Sequence, residues 1–115
     1  MVIARGDVVW VDSGSPRGSE PAEVRPAVVI RDDWLLATEI STVLVVPLTS
    51  HLSLEAFPGN VLVPAPAGGL DRDSVAVVSQ AGPVSREHLD LYPAGHAPAY
   101  LMAAIGAGIR LVAGI

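Results

Sequence analysis

The chain has no lysine, no cysteine and few aromatic residues, and each shortage removes a class of chemistry. All seven of its cations are arginine, which excludes a Walker phosphate loop, a Schiff base and a Ser–Lys nucleophile. Without cysteine there are no disulfides and no cysteine-ligated zinc or iron–sulfur sites, a composition that suits a cytoplasmic protein. Two Trp, two Tyr and one Phe in 115 residues spell out no stacking platform for single-stranded nucleic acid. Long membrane-type runs are also scarce. The one candidate, 97–115 (APAYLMAAIGAGIRLVAGI), carries Arg110 and is weakened as a helix by Gly106, Gly108 and Gly114. It reads as a packed C-terminal helix whose apolar excess points to a subunit interface. Arg5, Asp7 and Asp12 interrupt the opening valines, which argues against a secretory leader.

Basic charge is in short supply too. The net charge is −5, which by itself speaks against a nucleic-acid partner. Net charge and local field are separate quantities, however, and Arg17, Arg25, Arg31 and Arg86 could be gathered into one basic groove.

What is present in quantity is valine. β-Branched runs separated at short intervals by Gly, Pro, Ser and Asp predict a β-rich single domain spanning 1–115. Strands are expected at 6–12, 25–30, 41–48, 60–64 and 74–81, with a short one near 83–85. Pro47 cannot donate to a ladder and should lie near a strand end or on an edge. Segment 13–23 (SGSPRGSEPAE) reads as a long loop, and 32–40 as a wide connection or helical turn. Helical signals come late. Ser85 with Glu87 and Asp90 marks an N-terminus over 85–92, and 97–112 forms the C-terminal helix. The expected architecture is α+β: a curled antiparallel sheet or barrel with a C-terminal helix and one or two short helices.

Among polar residues, the histidines at 51, 88 and 96 lack metal-ligand spacing, so no metal site is expected. Asp71 and Asp73 read as turn formers around Arg72. Arg25 opens the second strand, held extended by Pro26, and Thr49 ends the third. If those strands are antiparallel neighbours, the pair shares one rim beneath the 13–23 loop, a plausible anion site. His51 lies two residues past Thr49 and would point to the same side. Imidazole suits proton transfer near neutral pH, which makes His51 a further candidate.

Four ordered blocks, RGDVVWVD (5–12), RGSEPAEVRPAVVI (17–30), VVPLTS (45–50) and GLDRDSVAVVSQ (69–80), resemble the MazF/PemK (Kid-like) toxins of type II toxin–antitoxin systems. The resemblance implies an SH3-like barrel that forms a homodimer. It implies a sequence-specific, metal-independent endoribonuclease acting on single-stranded RNA with no cofactor, neutralised by a cognate MazE-like antitoxin. DNA would be contacted only through the antitoxin complex, and no membrane is involved. Family roles fall on Arg25 and Thr49 as the catalytic pair, on Ser19 and Glu20 as residues lining the RNA site, and on Gln80 as a base contact. Arg17, Ser50, Ser79 and Arg86 complete the expected RNA-binding set. The segment after Gln80, AGPVSR, departs from relatives that flank this glutamine with an acidic residue and an arginine. A binding-only protein on the same scaffold, like the gyrase poison CcdB, is the alternative. Retention of both Arg25 and Thr49 favours the enzyme.

Overall fold

Adjacent residues on a strand face opposite ways, so pairs such as Val8–Val9 and Val28–Val29 require a sheet covered on both faces. The computed structural model describes residues 3–12, 24–36, 38, 41–90 and 92–115, and it meets that requirement. Its elements in chain order are β1 (Asp7–Asp12), β2 (Val24–Val29), α1 (Asp33–Leu36), β3 (Thr42–Thr49), β4 (Val61–Val63), α2 (Ala65–Gly68), β5 (Ser74–Ala76), β6 (Gly82–Ser85), β7 (Gly95–His96) and α3 (Ala99–Ala113). Short 3-10 turns cover Leu52–Ala56, Val78–Gln80 and Arg86–His88.

The strands form one curled antiparallel sheet, a half-barrel in the order β4–β5–β3–β2–β1–β7, with β6 also paired to β3. Val8, Val28, Val46, Leu48, Val63 and Ala76 pack on one face against Leu101 and Ile105 of α3. Val9, Ala27, Val29, Val43 and Val45 pack on the other, against Ile3, Leu36 and Leu89. Each fully buried valine contributes at most about 1.5–3 kcal/mol, so the valine runs supply most of the drive for this sheet.

β3 is the hub. Its first half pairs with β6 (Thr42↔Ser85 to Val45↔Gly82), and its end pairs with β5 (Leu48↔Ala76, Thr49↔Val75). Pro47 lies in the gap between those two partners, near the strand end as expected. Its missing N–H therefore costs little there, and its carbonyl accepts a hydrogen bond from Val77 N at 3.0 Å.

The late elements differ from the pattern reading in two places. The strand expected over 74–81 stops at Ala76, because Val78 is buried beside α3 and its N–H is bonded to Asn60 Oδ1 at 3.2 Å. Gln80 consequently sits on a 3-10 turn. The helix expected from Ser85 shrinks to Arg86–His88, because Leu89 is drawn into the core and bridges Val11. The C-terminal helix runs as expected and ends at Gly114 in the left-handed region, φ 75°. Among the described residues no helix is long and apolar enough to cross a membrane.

Candidate active site

The β2–β3 ladder carries Ala27↔Pro47. Two residues further along each strand, the same register sets Arg25 opposite Thr49. Both side chains then belong to one sheet face, because alternation places them with Ala27 and Pro47. Thr49 is held from its other side by Val75 of β5, and Arg25 is held by Val11 of β1. Pro26 keeps Arg25 extended. The two residues line a common cavity of about 520 Å³ at the open end of the half-barrel.

β3 ends at Thr49, so His51 reaches this cavity by a turn instead of by strand alternation. Its backbone N–H donates to Thr49 Oγ1 at 3.2 Å. The Thr49 oxygen thus accepts one hydrogen bond and still has its O–H proton to donate. Ser50 and the His51 ring share the wall.

The opposite wall is the segment from Gly69 to Ser74. Gly69 caps α2 with φ 71°, and an added Cβ would sit 2.4 Å from Ala94 O, so only glycine fits this turn. Asp73 Oδ1 then accepts the Ala65 N–H at 2.9 Å, tying the turn to the start of α2. Asp73 is thus a turn former, as expected. The same turn brings Arg72 to the cavity, a second arginine on its walls besides Arg25. Ser74 is buried, and its Oγ has no hydrogen-bond partner among the described residues.

A second, largely apolar cavity of about 240 Å³ lies on the other side of Arg25 and is lined by Pro47, Pro83, Val84 and Gln80. Arg25 borders both cavities. The expected site residues therefore divide. Arg25, Thr49, Ser50 and His51 come together in the first cavity, and Gln80 joins Arg25 in the second. Ser79 is exposed on the Val78–Gln80 turn and lines neither. Arg86 also lines neither, and its guanidinium donates to Leu36 O at 2.7 Å, under α1. Arg31 is absent from both walls too. Arg17, Ser19 and Glu20 lie outside the described residues. Among the described residues no group of three or more His, Asp or Glu is placed to hold a metal ion.

Pattern reading overlooked Trp10 and Arg72 as site residues. Arg72 had a signal, lying in a block already singled out for its resemblance. Trp10 had the same signal, lying in the block RGDVVWVD (5–12), but nothing in the alternation of the strand set it apart from the valines.

The PemK-like, MazF-like toxin family of type II toxin–antitoxin systems matches residues 4–113. The chain is 42% identical over 113 residues to "Endoribonuclease MazF2" of Mycobacterium bovis, covering 97% of each chain. It is 32% identical over 90 residues to "Endoribonuclease EndoA" of Bacillus subtilis, covering 77% of this chain and 76% of that one. In structure it resembles MazF in a MazE–MazF crystal from Deinococcus radiodurans, with TM-score 0.82, 21% identity and coverage of 100% and 98%. It also resembles the Mycobacterium tuberculosis toxin MazF-mt6, with TM-score 0.73, 18% identity and coverage of 94% and 97%.

Proposed function

The chain belongs to the PemK-like, MazF-like toxins of type II toxin–antitoxin systems, and from that premise we propose that it is an endoribonuclease cutting single-stranded RNA at the Arg25–Thr49 rim. The observation that carries the mechanism is the meeting of those two residues in one cavity. In the reaction the 2′-hydroxyl attacks the adjacent phosphorus and loses its proton. The P–O5′ bond breaks, the 5′ oxygen takes up a proton, and the products are a 2′,3′-cyclic phosphate and a 5′-hydroxyl. DNA lacks the nucleophile and is not cut.

Negative charge builds on the phosphoryl oxygens in the transition state. The Arg25 guanidinium offers a fork of donors to them. A guanidinium holds its proton too tightly to be a good proton carrier, so Arg25 acts electrostatically. Thr49, whose oxygen already accepts from His51 N–H, donates its O–H to a phosphate oxygen and orients it. His51, on the same wall, is the candidate for proton transfer. Arg72 adds a second phosphate contact, while Gln80, Ser50 and Ser79 with the Arg17–Glu20 segment serve the flanking nucleotides. Arg86, committed to Leu36 O, holds the fold beside them.

The protein acts as a homodimer in the cytoplasm and is neutralised by a MazE-like antitoxin, through which alone it reaches DNA. Structural neighbours solved as a MazE–MazF complex and as an endoribonuclease with its cognate antitoxin support the antitoxin. Exposed Phe57 and Val112 support the dimer. Val112 approaches Gly59, where an added Cβ would sit 3.2 Å from Val112 Cγ2, two residues along the chain from Phe57, and exposed apolar surface of this kind marks an interface.

The test is incubation of the purified protein, in EDTA, with a long mixed-sequence RNA and its DNA counterpart, mapping the new 5′ ends. Discrete cuts in RNA alone, absent with Arg25→Ala, are expected. RNA left intact by the folded wild type at low salt would overturn the enzyme reading in favour of a binding-only protein.

A further inference from the structure

We propose that Trp10 is the stacking platform for a nucleobase next to the scissile phosphate, an inference that rests on the ribonuclease reading above. On β1 the side chains alternate, so Trp10 shares its face with buried Val8, whereas Val9 and Val11 face the other way. That face ends at the open mouth of the half-barrel. There Trp10 pairs across the ladder with Pro26, the residue after Arg25. A proline partner has a fixed φ, so the wall behind the indole is rigid.

Trp10 is 37% exposed, part of it packed and part of it lining the same cavity as Arg25, Thr49 and Arg72. Among the described residues it is the one Trp, Tyr or Phe on either cavity wall, and its ring is far larger than the His51 imidazole on the same wall. The cavity volume of about 520 Å³ falls within the range of about 300–1,000 Å³ usual for small-ligand sites. Cations for a phosphate and an indole for a base, in a space of this size, match a nucleotide. Alternation sets Arg25 and Thr49 on the opposite sheet face from Trp10, but all three line this one cavity where the strands end. A nucleotide entering there with its phosphate at Arg25 and Thr49 presents its flanking base to the indole. Because every base has a π-face, the contact contributes affinity and positioning without strict sequence choice.

The experiment uses a Trp34→Phe protein, in which Trp10 is the remaining tryptophan. Trp34 lies in α1 and lines neither cavity. The probe is a short RNA spanning a mapped cut, with a 2′-deoxy sugar at the cleavage position so that it binds intact. Saturable quenching of Trp10 is expected, and an abasic site at the flanking nucleotide should abolish it. Trp10→Phe should bind nearly as the wild type does. Trp10→Ala should lose about 5- to 150-fold in affinity, and the abasic RNA should cost that variant nothing further. Quenching that ignores the abasic site, or losses from Trp10→Ala and the abasic RNA that multiply, would overturn the inference while the nuclease reading stands. Failure of the wild type to cut RNA at all would overturn both.

Discussion

In the proposed mechanism Arg25 and Thr49 act in chemically different ways, so their substitutions should separate. Removing a preorganised donor from developing charge costs about 100- to 1,000-fold in kcat, which is the loss expected of Arg25→Ala in single-turnover cleavage. Arg25→Lys should recover little of it, because an ammonium cannot present the planar fork. Thr49→Val keeps the shape and loses the hydroxyl, and should slow cleavage about tenfold, the worth of one hydrogen bond. Thr49→Ser should stay close to wild type. Arg25 is exposed and Thr49 half-buried at strand ends, so all four variants should keep the wild-type unfolding midpoint. Arg25 was legible in the sequence because a cation opening an apolar strand before a proline is conspicuous. Trp10 was not, because its exposure depends on where the sheet stops.

Among the elements, α3 shows how closely the half-barrel is sealed. Gly108 faces the turn after Pro58, and an added Cβ would meet Gly59 O at 2.1 Å. Backbone cannot yield as a side chain can, so Gly108→Ala should destabilise by about 1–3 kcal/mol in urea unfolding. Gly106, on the same helix, would meet nothing closer than Arg110 Nη1 at 3.8 Å. Gly106→Ala should therefore stabilise by up to about 1 kcal/mol through helix propensity. Helix α3 and strands β1 to β3 were readable because long runs and two-sided burial leave a strong pattern. β7, only Gly95–His96, carries no pattern and exists because β1 offers it a ladder at Asp7 and Val8. The 3-10 turn holding Gln80 was misread as strand for a related reason. Valine propensity is local, whereas the hydrogen bond to Asn60 that turns the chain is not.

At the scale of the whole molecule, an acidic chain has to bind a polyanion with few cations. The first cavity gathers two arginines with two aspartates, so affinity for RNA should depend only moderately on salt. With Arg25 and Arg72 as the phosphate contacts, log K against log salt should have a slope near −1.4, on the basis of about −0.7 per phosphate in single strands. Arg72→Ala should flatten that slope by about 0.7. A slope several times steeper would mean that cations outside this cavity dominate. The apolar surface around Phe57 and Val112 belongs to this scale as well. Val112→Asp should shift sedimentation from dimer to monomer with the β-sheet circular-dichroism signal unchanged.

The order and kinds of residues by themselves determined that the chemistry would be free of cysteine thiols and lysine amines, that the domain would be β-rich, and that Arg25 and Thr49 would lie at the ends of consecutive strands. These are consequences of which side chains exist and of periodicity along the chain, which a sequence displays directly. The choice of residues that accompany that pair belonged to the tertiary structure. The β1–β2 ladder brings Trp10 to the cavity, the left-handed turn at Gly69 and the tie from Asp73 to Ala65 bring Arg72, and the bond to Leu36 O holds Arg86 beneath α1. Contacts of that kind join residues far apart in the chain, and their energies come from packing and hydrogen bonds that no local window contains.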